Sequence, residues 1–228
     1  MKIKNYLKRN LLFYLILVAC LMICSGCSKK VPLNERPMYG NIPPTLEVQK
    51  INDEFINTIV KKAGSRERGA QKMISVAWYY YNKGDLTTAM KRFNQAWLLN
   101  PNESEVYAGF ACIAAKKNNL DEAIDMNTQA IKLNPNSRIA YGNRGLDYFH
   151  RGDKYRRTED IERAISDFTT AIENDPKYAQ NYNDRAVCYA AIDEYDKCWS
   201  DVQKARELGY KVSPEFIEKL QKVSDKRK

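Results

Sequence analysis

The sequence predicts an all-α protein made of stacked helical hairpins. The first observation is one segment written three times: "DLTTAMKRFNQAWLLNP" ends at Pro101, "LDEAIDMNTQAIKLNP" at Pro135 and "IERAISDFTTAIENDP" at Pro176. Ala89, Phe93 and Ala96 in the first copy become Ala123, Asn127 and Ala130, then Ala164, Phe168 and Ala171. Steps of four and three residues put each trio on one helical face, and the proline stops the helix. The second observation is a companion segment ahead of each copy with its own pair three residues apart: Ala77 and Tyr80, Ala111 and Ala114, Gly145 and Tyr148, Ala186 and Tyr189. The third is the set of turns between the two segments, such as "NKGD", "KKNN" and "AIDEY". One such hairpin cannot bury its apolar face alone, so hairpins stack.

Taken from the N-terminus, "MKIKNYLKRN" is basic, "LLFYLILVACLMIC" is uncharged and "SGCSKK" turns small and polar. A bilayer-spanning helix needs roughly 20 apolar residues, and this run is shorter. Basic, then apolar, then small reads as an export signal over residues 1–26. Its end resembles a bacterial lipoprotein signal, in which a short lipobox closes on a cysteine that becomes the lipidated first residue. Ser25 and Gly26 before Cys27 fit that pattern, and Cys24 departs from it. "LVAC", ending at Cys20, is a rival by letter, but cutting there leaves Leu21, Met22 and Ile23 exposed. A plain signal or an uncleaved anchor without lipid is the third reading. The resemblance implies a firm multi-chain anchor. Ser28, in place of an aspartate, implies outer-membrane sorting in an organism that has an outer membrane.

Residues 27–44 hold four prolines and little apolar content, which predicts an extended tether. Thr45 then caps a helix over residues 45–63, with Leu46, Ile51, Phe55, Ile56, Ile59 and Val60 largely on one face and Gly64 as its stop. Four hairpins follow, at about 70–103, 104–137, 138–178 and 179–212. Their copies lie 34, 41 and 34 residues apart, so the third carries a seven-residue insertion. In the fourth, Cys198, Val202 and Tyr210 stand where the others have alanine, an aromatic or asparagine, and proline. "SPEFIEKLQKV", within 213–224, reads as a closing helix with Ser213 as N-cap and Phe216, Ile217, Leu220 and Val223 toward the core.

The period and the Ala…Phe…Ala…Pro skeleton resemble the tetratricopeptide repeat over about residues 70–212. That resemblance implies a right-handed α-solenoid of helix hairpins, here with an N-terminal extra helix and a C-terminal capping helix. It also implies that the first helix of each hairpin lines a concave groove that binds partners. Carried over by spacing, the groove positions are Ile74, Trp78 and Tyr81; Ala108, Cys112 and Ala115; Gly142, Asn143, Leu146 and Phe149; and Asn183, Val187 and Ala190. Four consecutive aromatics in "AWYYYN" cannot all face the core. Trp78 and Tyr81 therefore either face a ligand or lie under the Leu46–Lys62 helix. Small residues in the second copy predict a hollow between aromatic walls at Trp78/Tyr81 and Phe149, fitted to an extended or apolar peptide. The basic set that grips a peptide carboxylate in one subset of the family is missing.

Two hairpins carry an extra pairing. Arg144 with Asp167 and Arg185 with Asp201 occur together, and the first two hairpins lack both members. This predicts ion pairs within the hairpin. The seven added residues are close to two helical turns, so both helices could lengthen in register, with Thr158 able to cap the second. The segment "RGDKYRRTEDIER" is otherwise read either as a solvated long turn or as a docking edge of Arg151, Lys154, Arg156 and Arg157 for an acidic partner.

Enzyme chemistry is not expected. The chain has one histidine, His150, read as a solvated helix-end cation, and no metal, phosphate-loop, dinucleotide or nucleophile-elbow motif. No catalytic residue, metal or cofactor is assigned. Cys198, standing where the other copies have alanine, is read as a small core residue, and a disulfide with Cys188 on the paired helix is conceivable in an oxidising compartment. The net charge of +9 falls to +5 beyond Lys2, Lys4, Lys8 and Arg9, with acidic and basic residues interspersed, so nucleic acid is not an expected partner. The resulting expectation is a membrane-anchored scaffold or adaptor for envelope proteins or extended peptides, with a peptide- or glycan-binding receptor as the competing class. Its site would be the cell envelope, lipid-anchored, at the outer membrane facing the periplasm.

Overall fold

The computed structural model describes residues 31–225. The signal region, Cys20 and Cys27 lie outside the described residues. Residues 1–33 separate from Asn34–Lys228 as a distinct unit, and the fold below is that of the second. Among the described residues there are ten α-helices and no strand: α1 Leu46–Ala63, α2 Arg66–Asn82, α3 Leu86–Leu99, α4 Ser104–Lys116, α5 Leu120–Leu133, α6 Arg138–Tyr155, α7 Thr158–Asn174, α8 Ala179–Ala191, α9 Tyr195–Glu207 and α10 Pro214–Asp225.

Local chemistry sets the helix ends. The Thr45 hydroxyl accepts from Val48 N at 3.4 Å, and Gly64 takes a left-handed φ of +86° after α1. Ser65, Asp85 and Ser137 accept the corresponding amides of α2, α3 and α6. Inside each hairpin the reversal passes through one left-handed residue: Gly84, Asn118, Arg156 and Asp193. α2 packs on α3, α4 on α5, α6 on α7 and α8 on α9. Each hairpin also touches the next, and the first helices meet directly: α2 with α4, α4 with α6, α6 with α8. This close approach marks the inner side of the stack.

The core is a series of aromatic plugs. Phe93 and Phe168, both fully buried, project from second helices. Phe93 sits edge-on to Trp78 and Phe110, at centroid distances of 5.2 and 6.1 Å, and reaches the next hairpin over Gly109. Phe168 lies beside Gly145 of its own hairpin and clusters with Cys188 of the next. The last hairpin is closed by Leu220, with Phe216 and Ile217, over Ala186, Cys198 and Val202. Cys188 and Cys198 are free thiols in separate clusters.

Three expectations are corrected. The stretch read as a free tether is docked over Asn34–Asn41. The buried amide of Asn94 on α3 donates to the carbonyls of Asn34 and Arg36 at 3.1 and 2.8 Å, and Lys91 pairs with Glu35 at 3.3 Å. Met38, Tyr39 and Gly40 turn left-handed there, which orients Met38 into the first hairpin's core. Burial pushes the Tyr39 phenol up to about 12. Second, the long-turn reading of the insertion gives way to the helix lengthening that its two-turn length allows. α6 and α7 have 18 and 17 residues against 13 and 14 for α4 and α5. Thr158 is the first residue of α7, and Arg157, without a side-chain cap, is its N-cap. Third, His150 lies within α6 and not at its end.

Gly109 tests the stacking directly. A Cβ there would overlap the Phe93 ring, which is boxed in by Trp78 and Phe110. Alanine adds up to about 1 kcal/mol of helix preference, but overpacking costs about 1–3 kcal/mol and the ring has no room to retreat. Gly109→Ala is therefore expected to lower the unfolding free energy in urea, although the same change on an open helix raises it.

Candidate ligand groove

The hairpin ion pairs form as the sequence implies and also reach further. Arg144 donates through Nε and Nη2 to the two carboxylate oxygens of Asp167, both at 2.8 Å, and Arg185 does the same to Asp201. The remaining Nη1 crosses to the preceding hairpin, to Thr128 Oγ1 at 3.1 Å and Thr169 Oγ1 at 2.9 Å. Each arginine thus ties two hairpins together, which fixes the spacing of the first helices that form the groove.

Of the predicted groove residues, Ile74 and Ala108 are in the core, Ala108 against Ala130 and Ala140, and Gly142 is buried facing Asn181. The inward side chains of Ile74 and Ala108 bring neighbouring helices together and leave no room for a ligand there. Trp78 turns toward the stack, donating to Glu105 at 2.8 Å with its ring against Phe93 and Tyr81. Phe149 joins the Ile161–Phe168 cluster. Asn183, Val187 and Ala190 are half-buried on α8.

Tyr81, Cys112, Ala115, Asn143 and Leu146 do come together. With Ala111, Lys116, Leu120, Asn127, Asp147 and His150 they line a hollow of about 360 Å³. Its near wall is Tyr81 and its far wall is Leu146 and His150, so Trp78 and Phe149 are not the walls. A second hollow of about 260 Å³ continues along α6 and α8, between Arg138, Gly142, Asn143, Leu146, Tyr178, Asn181 and Asp184. The Arg138 guanidinium stacks on the Tyr178 ring at 3.8 Å.

The first hollow exists because Asn127 stands in the slot that Phe93 and Phe168 fill in the hairpins on either side. Asn127 is fully buried, and its Nδ2 donates to Asp147 Oδ2 at 2.9 Å while its Oδ1 has no partner. Asp147 is also buried and makes no ion pair among the described residues. By repeat position it stands where α4 has Ile113 and α8 has Cys188. Asn143 donates to Cys112 Sγ at 3.5 Å, and burial, with Asp147 adding to it, pushes the Cys112 thiol up to about 12. Asp147 and the orphaned Asn127 carbonyl are the polar features that groove spacing missed. The asparagine in an aromatic slot was the available signal.

The docking edge is corrected in one member. Arg151 is held by Asp160 through two bonds of 2.8 Å and by Asp121 of α5 at 2.6 Å, with 13% of its side chain exposed. Its bonds to Asp160 hold that carboxyl below the usual range. Lys154, Arg156 and Arg157 are exposed.

The tetratricopeptide-repeat family model matches residues 104–137 and 148–178, covering α4 and α5, then the end of α6 and α7. Serine/threonine-protein phosphatase 5 of Homo sapiens is 38% identical over 88 residues, 39% of this chain and 16% of that protein. A FAM10 family protein of Arabidopsis thaliana is 32% identical over 102 residues, 45% of this chain and 22% of that protein. The match thus spans a minor part of these relatives. A thermophilic tetratricopeptide-repeat protein of Thermus thermophilus superposes with a TM-score of 0.56 at 22% identity, covering 61% of this chain and 74% of the other. MamA gives 0.54 at 19% identity, covering 73% and 96%. The chain carries tetratricopeptide repeats, and its fold is the all-α solenoid of their hairpins.

Burial pushes the Asp147 carboxyl up to about 7, the Asn127 hydrogen bond opposing the effect. An unfolded aspartate titrates near about 4. Between these values the folded chain holds a proton that the unfolded chain has lost, so this group's contribution to stability falls as pH rises through that window. Asp147→Asn cannot ionise. In urea titrations its stability relative to the wild type is expected to rise with pH by up to about 1.4 kcal/mol per pH unit from about pH 4 to about pH 7. A difference that stays constant across this window would refute the assignment.

Proposed function

We propose that the chain is a lipid-anchored adaptor that holds an extended segment of a partner protein in the groove along α2, α4, α6 and α8, without catalysis. The single observation behind the reading is the 360 Å³ hollow on the inner side of the repeat stack, built where an aromatic plug is missing. A cleft of this size, with apolar walls and a few placed polar groups, suits capture of a side chain. The anchor rests on Cys27 and its preceding signal-like run. Ser28 favours the outer membrane, facing the periplasm, with envelope proteins as partners.

Ala115 is half-buried on the groove face of α4 and lines the hollow. Ala115→Phe is expected to fill that space and abolish capture of the discrete envelope protein cross-linked by the wild type, with an unchanged melting temperature. Identical capture by both proteins would move binding away from the groove. Cys27→Ala, with Cys20 intact, is expected to stop incorporation of labelled fatty acid, and a label that persists would place the anchor elsewhere.

A further inference from the structure

We propose that the hollow between α4, α5 and α6 is a subsite for a basic side chain, lysine or arginine, of the segment lying in the groove; this rests on the groove-binding reading above. The Asn127 amide is spent on Asp147 Oδ2 and the Asn143 amide on Cys112 Sγ. With Asp147 ionised, what remains to a ligand deep in the hollow is Asp147 Oδ1 and the orphaned, fully buried Asn127 Oδ1, and both are acceptors. A ligand head must therefore bring donors. An ammonium or guanidinium brings donors and no competing acceptor, and its charge supplies the partner that Asp147 lacks. A carboxylate would meet Asp147 as a like charge.

The walls suit the stem of such a side chain. Tyr81, Ala111, Ala115 and Leu146 offer apolar surface along which methylenes pack while the charged head goes deep. The titratable and charged groups facing Asp147 are Tyr81 from α2, Cys112 and Lys116 from α4, and His150 from α6; α5 contributes the neutral Asn127. Burial raises Tyr81 and Cys112, each to about 12, so both stay uncharged near neutrality. Lys116 and His150 are exposed, and Lys116 makes no ion pair with Asp147. A bound cation favours the ionised carboxylate, so binding releases the proton that burial retains, and affinity for a basic side chain rises with pH through about 7.

The test uses the full chain in detergent micelles and a library of extended peptides. Peptides retained by the wild type are expected to share lysine or arginine at one position. Replacing that residue by norleucine should weaken binding by roughly tenfold or more, as for a charged hydrogen bond. Asp147→Asn should weaken the basic peptide by a similar factor, leave the norleucine peptide unchanged and remove the rise of affinity with pH. Its melting temperature shows whether it is folded, and Asn127→Leu, which removes the second acceptor and fills the hollow, should also lose the basic preference. Retained peptides that bind equally well with norleucine would overturn this inference and leave groove binding standing. If the wild type retains no peptide, both fall.

Discussion

The constraint on which the structure depends is that a helix hairpin exposes two apolar sides and can bury only one against itself. The second is hidden by the neighbouring hairpin, through a plug on the second helix that is aromatic in the first and third hairpins, Phe93 and Phe168. Phe93 shows the geometry: fully buried, edge-on to Trp78 of its own hairpin and to Phe110 of the next, with Gly109 letting the helix backbone approach its ring. No side chain larger than hydrogen fits at that glycine without moving the ring, so helix spacing and plug size are set together. Arg144 and Arg185 solve the same problem with polar groups, each gripping an aspartate within its hairpin and a threonine of the preceding one.

Against that rule the second hairpin is an exception with chemical content. Asn127 replaces the plug, and Asp147 replaces the apolar residue that would meet it. Two apolar side chains there would pack and stabilise; a polar pair with one orphaned oxygen and no counter-ion costs stability. Departures from local consistency of this kind concentrate at functional sites. The two replacements face each other across a hairpin boundary and open onto the inner side of the stack, among residues that groove spacing alone selects. The hollow thus lies where the neighbouring hairpins place a ring, with a carboxyl group in its lining.

Much of the fold was legible because helix packing repeats in register. The Ala–aromatic–Ala steps, the cap at Thr45, the stop at Gly64 and the closing helix at Pro214 all depend on residues within a few positions of one another. The paired Arg144–Asp167 and Arg185–Asp201 were readable because both members vary together between hairpins. Contacts decided by distant partners were not legible. Asn34–Asn41 has the composition of a tether, yet the Asn94 amide, some sixty positions away, captures two of its carbonyls. Trp78 could have faced a ligand until Glu105 of the next hairpin took its N–H. Asn127 was visible as an oddity, but its meeting with Asp147 needed the stack.

The insertion in the third hairpin acquires a role from these contacts. Its added turns lengthen both α6 and α7 and carry Arg151 to where it bonds Asp160 on α7 and Asp121 near the start of α5. Asp121 follows Leu120, which lines the hollow, and Arg151 follows His150 on the same rim. One side of the hollow is therefore clamped by a guanidinium shared between hairpins, and Arg144, bridging Asp167 and Thr128, ties the same two hairpins one residue from Asn143 and Asn127. A site made by omitting a core ring would otherwise invite the neighbouring helices to close over it, since cores collapse into space when nothing holds them apart. Charged tie-bars at the junction where the plug is missing oppose that collapse. Arg151, assigned by sequence to an outward docking edge, and Arg144, assigned to packing within a hairpin, both cross to the neighbouring hairpin beside the hollow that holds Asn127 and Asp147.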